Sequence, residues 1–449
     1  MRFARSPAEI EAPPGRAGGA AFLLVLAAFF TPLFTASGAQ AAEAVVSNYK
    51  HLGVASCASS VCHGKVGPQP GKNVPLNEYR IWSLEDRHAQ AYRTLDLPES
   101  RRMAANLGLP NATAAKICLD CHTDNVPESQ RGPKFKISDG IGCEACHGGS
   151  EKWIESHAAK SAKHQDNVSV GMYPSEQPLK RAELCLGCHM GTRDRLATHT
   201  IMGAGHPRLS FELEAYTQNQ PAHYVATAEY YVERKGRIDG MNMWVTGQLE
   251  SARRMLELVQ TSLFHAGGMF PELAFYDCHS CHHPMDKIRW NAQRAGTGIK
   301  PGTLRLQTQN FVILQAVTET FEPGALPELV ELTNALIRAG QRDKAEVSAA
   351  ARALNTWLTK RDELSRRQYS TADVTRIRKM LVNYGASDKA GDYAAAEQIV
   401  LGIESLSYSL KDRDGKKGVI DTLYNAVRND TNFSPQQFAA AAKNAQGKF

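Results

Sequence analysis

Beyond its N-terminus the chain has no long hydrophobic run. It also has no strong excess of one charge: 52 Lys and Arg stand against 46 Asp and Glu, a net charge of +6 over 449 residues. The first absence excludes a polytopic membrane protein. The second, together with the lack of any run of alternating basic and aromatic residues, excludes a nucleic-acid binder. No cysteine is left over from a set of close pairs, and residues 284–449 hold neither cysteine nor histidine. No stretch alternates with period two for long enough to require a sheet. What remains is a chain with 43% apolar residues, long enough for two or three domains and at least one sizeable core.

The N-terminus reads as an export leader. Arg2, Arg5 and Arg16 form a basic region, Ala20 to Phe34 is apolar except at Thr31 and Pro32, and Ala39-Gln40-Ala41 is a small-x-small cleavage pattern. Cleavage is expected after Ala41, with the mature chain in the periplasm. The apolar run is shorter than the roughly 20 residues of a spanning helix, so no membrane span is expected after the leader is removed.

The ten cysteines fall into five pairs: Cys57 and Cys62, Cys118 and Cys121, Cys143 and Cys146, Cys185 and Cys188, Cys278 and Cys281. Each pair is followed at once by a histidine: His63, His122, His147, His189 and His282. Disulfides are the default for an exported chain, yet they need no histidine beside the second cysteine. Zinc ribbons use such pairs two at a time, and five cannot all be partnered. Covalent haem c accounts for every cysteine and all five adjoining histidines: two thiols add to the two vinyl groups, and the next residue is the proximal iron ligand. The first pair has two extra residues between its cysteines but keeps the Cys62-His63 adjacency, so five haems c are expected.

The chain divides near residue 300. Residues 1–41 read as the signal peptide, 42–300 as a haem-bearing domain rich in Gly and Pro loops such as 64–75 and 131–142, and 301–449 as a helical domain without haem ligands. In the last part Leu326, Leu329, Val330, Leu336 and Ile337 share one helical face between Pro327 and Gly340. Val347 to Leu358 repeats the pattern. Ser370 and Asp373 cap a further helix, and Ser434-Pro435 opens a last one. An earlier helix with Val245, Leu249, Ala252, Leu256, Val259 and Leu263 is expected between the last two haem sites. The fold class is therefore mainly α: a loop-rich multihaem domain followed by a helical bundle.

Ten histidines are not proximal: His51, His88, His157, His164, His199, His206, His223, His265, His279 and His283. Counting alone leaves open whether every iron receives a second imidazole. Trp82 with His88-Ala89-Gln90-Ala91, the segment Gly142-Cys143-Glu144-Ala145-Cys146-His147-Gly148-Gly149, and His157 resemble the cytochrome c-554 family of periplasmic multihaem cytochromes. The resemblance implies that His88 is the distal ligand of the third haem and His157 that of the first, and that the second haem, on His122, is open. A fifth site at Cys278 and the helical tail depart from the four-haem pattern. Gly205 to Glu212 looks like a segment of longer relatives, and makes His206 preferred over His199 as a ligand. His283, directly after His282, is similar to the double histidines of other multihaem cytochromes and is a further distal candidate.

The expected function is electron transfer through closely spaced, mostly bis-histidine haems, with periplasmic redox proteins as partners and no nucleic acid. The alternative is an oxidoreductase acting on small nitrogen or sulfur oxides at one five-coordinate haem. Expressed with a haem-maturation system, the exported protein should begin at Ala42 and carry five haems, roughly 3 kDa above the mature chain by intact mass. An increment of four would show that the Cys57 site is unused.

Overall fold

Gly- and Pro-rich connections between the attachment motifs leave room only for short helices. The computed structural model describes residues 48–68, 74–225, 229–237, 239–265, 271–282, 300, 303–390 and 392–449. The expected leader and its cleavage point lie outside these residues, as does His283. The described residues fall within one compact unit, Ala41–Phe449. The first part contains α1 (Glu78–Glu85), α2 (Pro98–Asn106), α3 (Lys116–His122), α4 (Cys143–His147), α5 (Pro178–His189), α6 (His199–Gly203) and α7 (Leu213–Asn219). Its own core is small, with Leu95, Ala104, Ala112 and Leu119 forming one cluster.

The later helices are longer: α8 (Gly240–Leu258), α9 (Gln309–Phe321), α10 (Leu326–Ala339), α11 (Lys344–Thr359), α12 (Thr371–Gly385), α13 (Tyr393–Ser409), α14 (Lys417–Ala426) and α15 (Pro435–Ala445). Among the described residues there is no β-strand, only three isolated bridges, so the protein is mainly α. The expected boundaries have visible causes. Pro327 lies in the first turn of α10 and Gly340 follows its last. Ser370 and Asp373 form a reciprocal capping box on α12, and the Ser434 side chain accepts from Gln437 N–H at the start of α15.

Two central helices have no amphipathic signature to read. α13 buries thirteen of its 17 residues, and α9 is apolar on nearly every face. A helix enclosed on all sides loses the polar stripe that periodicity detects. α8 stops at Leu258, short of the apolar stripe that continues through Val259 and Leu263, and a separate 3-10 turn follows at Ser262–His265. Rather than lying only between haem sites, α8 packs on α5, α7, α9, α11 and α13. One hydrophobic core therefore runs from Met241 to Ala445, across the sequence position where the haem motifs end.

Polar side chains stitch this core. Asn310 Nδ2 donates to Gln248 Oε1 (2.8 Å), Gln248 Nε2 to Gln398 Oε1 (3.2 Å), and Gln398 Nε2 to the carbonyl of Phe211 (2.8 Å). Buried amides must be paired in this way, and a paired set fixes the mutual register of the helices.

At Gly247 a Cβ would lie 2.5 Å from Leu213 Cβ, so the close crossing of α8 and α7 depends on the missing side chain. Gly247→Ala gains helix propensity but must separate the two helices, and should lower stability by about 1–3 kcal/mol in a denaturant titration of the haem-loaded protein. An unchanged midpoint would show that the crossing relaxes freely.

Candidate haem centres

Three attachment motifs occupy the ends of helices, which presents their thiols and imidazole on one turn. His122, His147 and His189 are the last residues of α3, α4 and α5. The fifth motif lies on a 3-10 turn, Cys278–Ser280, closed by His282 N–H donating to Cys278 O (2.7 Å). At the first motif the two extra residues are absorbed in a turn in which Cys62 N–H donates to Ser59 O (3.0 Å) and His63 N–H to Cys57 O (3.2 Å). The tenfold set of cysteines carries no disulfide. Among the described residues no three His, Cys, Asp or Glu side chains converge as a bare-metal site.

Each proximal histidine instead faces one other imidazole. The ring centroids of His63 and His157 are 6.1 Å apart, His88 and His189 6.2 Å, His122 and His206 6.4 Å, His147 and His223 6.2 Å, and His199 and His282 6.2 Å. Two imidazoles bound through one nitrogen each, at about 2.0–2.1 Å from a shared metal, place their centroids about 6.3 Å apart. The residues present therefore fit an iron held between two histidines at all five motifs. The planes are near parallel in the first pair (11°), tilted at 35° in the fifth, and close to perpendicular in the others (87°, 90° and 85°).

The rings are held by their far nitrogens. His63 Nδ1–H donates to Glu78 Oε2 (2.9 Å) and His88 Nδ1–H to Asp86 Oδ1 (2.9 Å). His122, His157 and His206 donate Nδ1–H to the carbonyls of Ala91 (3.0 Å), Trp153 (3.1 Å) and Pro207 (2.8 Å). Such bonds fix the tautomer and leave Nε2 as the ligating atom. Burial pushes His147 down to about 3 and His189 to about 4, so both are neutral at physiological pH with a lone pair free to bind a metal. The hydrogen bond to Glu78 raises His63, and that to Asp86 raises His88.

The pairing differs from what the resemblance implies at two haems. The His88 ring stands opposite His189 of the fourth motif, not His147 of the third. Its backbone explains the ambiguity: His88 O accepts from Ile141 N–H (3.1 Å) at the start of the third motif, while the ring reaches the other way. His206 faces His122, where the resemblance implies an open site. His199 and His206 each face a histidine that follows a cysteine pair, His199 from the start of α6 and His206 from the turn after it. His223, opposite His147, belongs to no motif and follows α7 in a short connection; nothing in the sequence singles it out from the spare histidines. His157 faces His63, as the resemblance implies.

Three of the remaining histidines have structural partners among the described residues. His51 is 2% exposed and bonds Asp124 (2.7 Å), His164 bonds Glu176 (2.8 Å), and His279 Nε2 bonds the carbonyl of Asp430 (2.5 Å). His265 ends the 3-10 turn after α8. The motifs are also tied to one another. The Cys57 thiol hydrogen-bonds with Cys143 and the Cys121 thiol with Cys188, so the first motif adjoins the third and the second adjoins the fourth. Large exposed apolar side chains, Val61, Val66, Leu84, Leu97, Ile117, Leu179, Tyr216 and Val225, all lie among the motifs and none in the helical tail. That is the distribution expected where macrocycles complete the apolar surface.

Covalent attachment motifs with opposed imidazoles define a c-type cytochrome, a haem-binding electron-transport protein. Within that class, residues 56–148 match the family described as cytochrome c554 and c-prime. The match takes in the first three motifs and ends at Gly148; the fourth, the fifth and the helical tail lie beyond it. No curated protein and no solved structure matches the chain. Among the described residues no helix is long and apolar enough to cross a membrane.

Glu144, inside the third motif and 3% exposed, accepts from Leu52 N–H (2.7 Å), Gly53 N–H (2.7 Å), Ser150 N–H (2.8 Å) and Ser150 Oγ–H (2.6 Å). Glu144→Ala leaves these donors without an acceptor and should cost at least about 3 kcal/mol in thermal or chemical unfolding. A loss under about 1 kcal/mol would mean that water replaces the carboxylate.

Proposed function

We propose that the protein is a periplasmic electron-transfer cytochrome with five covalent haems c, each ligated by two histidines. The pairs are His63 and His157, His122 and His206, His147 and His223, His189 and His88, and His282 and His199. The observation that carries this reading is the recurrence of one separation, 6.1–6.4 Å, at every proximal histidine. The alternative, an oxidoreductase with one five-coordinate haem, requires a proximal imidazole with no partner, and among the described residues each of the five has one.

When bound, haem c supplies a one-electron iron couple. The chain's part is to hold, space and tune it. The ten thiols anchor the macrocycles, and contact between Cys57 and Cys143 and between Cys121 and Cys188 brings neighbouring sites within short electron-transfer reach. α6 joins two further sites, since His199 at its start faces the fifth motif and His206 just past its end faces the second. Glu78 and Asp86 make the imidazoles of His63 and His88 more basic than a carbonyl acceptor does, which favours the oxidised iron and lowers the potential at those two sites. Direction of flow and partner identity are set outside the chain, in periplasmic redox proteins.

Low-temperature electron paramagnetic resonance of the oxidised protein should show low-spin haem only, and the reduced protein should not bind CO. Replacing His157, His88, His223, His206 or His199 by Ala should convert one haem in five to high-spin in each case. A high-spin haem in the parent protein, or no change in these variants, would overturn the ligand pairs. Glu78→Gln should raise the midpoint potential of a single haem in a spectroelectrochemical titration and leave the other four in place.

A further inference from the structure

Residues 301–449 contribute no thiol and no imidazole, yet α13 grips the segment that follows His206. Glu397 Oε2 accepts from Arg208 Nη2 (2.9 Å) and from Ser210 Oγ (2.7 Å). The Arg208 guanidinium lies 5.1 Å from the centre of the Tyr393 ring. Gln398 Nε2 donates to the carbonyl of Phe211, and Ser405 Oγ donates to Glu212 Oε2 (2.7 Å). Five contacts from one helix thus fasten the segment 208–212, whose residues are all partly or fully buried.

On the other side of His206 the bonds are mostly to its own preceding turn, with Gly205 N–H donating to Met202 O (2.9 Å) and His206 N–H to Ile201 O (3.3 Å). Asn106 Nδ2 of α2 donates to Ala204 O (3.2 Å), and Gly205 takes a φ of 123°, open to glycine and strained for other residues. The His206 ring itself makes one hydrogen bond, to the carbonyl of its own neighbour Pro207. With a flexible glycine before it and no protein anchor on its ring, the placement of His206 depends on what holds the chain just after it.

We propose that the helical tail is the positioning device for the distal ligand of the second haem, with Glu397 and Arg208 as positioning residues that keep His206 opposite His122. The tail thereby decides whether this haem is a closed carrier or an iron open to small ligands. This rests on the reading of His206 as a ligand. It assigns the tail a role in the redox sites, in place of a separate scaffold or docking surface.

The test uses the full-length, haem-loaded protein. Glu397→Ala should retain five haems and its helical circular dichroism, while up to one haem in five becomes high-spin and the reduced protein gains CO binding at one site. Glu397→Gln, which keeps an acceptor for Ser210 but not the charge for Arg208, should give a smaller high-spin fraction. If Glu397→Ala does not fold, Arg208→Gln removes the same bond from the loop side and is read in the same way. The double variant with His206→Ala should show one high-spin haem, the same as His206→Ala alone, because both act on the same iron. Five low-spin haems and no CO binding in folded Glu397→Ala and Arg208→Gln would overturn the inference, as would two high-spin haems in the double variant. If His206→Ala itself leaves all five haems low-spin, it is the ligand assignment that fails, not the positioning argument alone.

Discussion

Two imidazoles can share one metal only within a narrow range of separations, and five times in this chain the histidine after a cysteine pair faces another ring at 6.1–6.4 Å. Proximal histidines are placed locally, since each is covalently adjacent to the cysteine that anchors the macrocycle. Opposing histidines have no such local restraint. They come from loops and helix ends up to 101 residues away in sequence, as with His88 and His189, and each must be carried to its place by packing elsewhere in the molecule. Much of the irregular first part is organised around this delivery, through the Asp86 cap beneath His88, the Trp153 carbonyl behind His157, and the short α6 between His199 and His206.

A second level of order gathers the motifs themselves. The segment 51–53 touches two of them and stands just before a third. His51 pairs with Asp124 beyond the second motif, Leu52 and Gly53 donate to Glu144 inside the third, and Cys57 follows directly after one 3-10 turn. In a region with little side-chain core, a buried histidine and a buried glutamate do what aliphatic packing does in the tail. Their hydrogen-bond demands are directional, so they set positions as well as proximity.

The tail is built on the opposite principle. α13 is enclosed by α8, α9 and α12, with small residues such as Ala395, Ala396, Gly402 and Ser405 allowing close approach. The polar thread from Asn310 through Gln248 and Gln398 to Phe211 connects this rigid core to the segment beyond His206. A division at residue 300 is a division of chemistry, because cysteine and histidine cease near there. It is not a division of packing, since α8 lies before it and the helices it packs on lie on both sides.

The residue types alone pointed to covalent haem and to the positions that would hold it: a histidine next to the second cysteine of each pair is a local pattern that survives any fold. They also determined the amphipathic helices α10, α11, α12 and α15, whose caps and stripes are read within a dozen residues. Helices α9 and α13 escaped because total burial erases periodicity. The opposing ligands were only partly legible for a related reason. The resemblance sets His157 opposite His63, which its ring faces, and sets His88 opposite the third motif, whereas its ring faces His189 of the fourth; His223 was not singled out, because a ring's direction depends on the packing of its turn and not on its neighbours in sequence. Whether His122 stands open was decided by tertiary structure alone. His206 lies 84 residues along the chain from His122 and faces it at 6.4 Å, and the segment just after it bonds a helix nearly 200 residues further on.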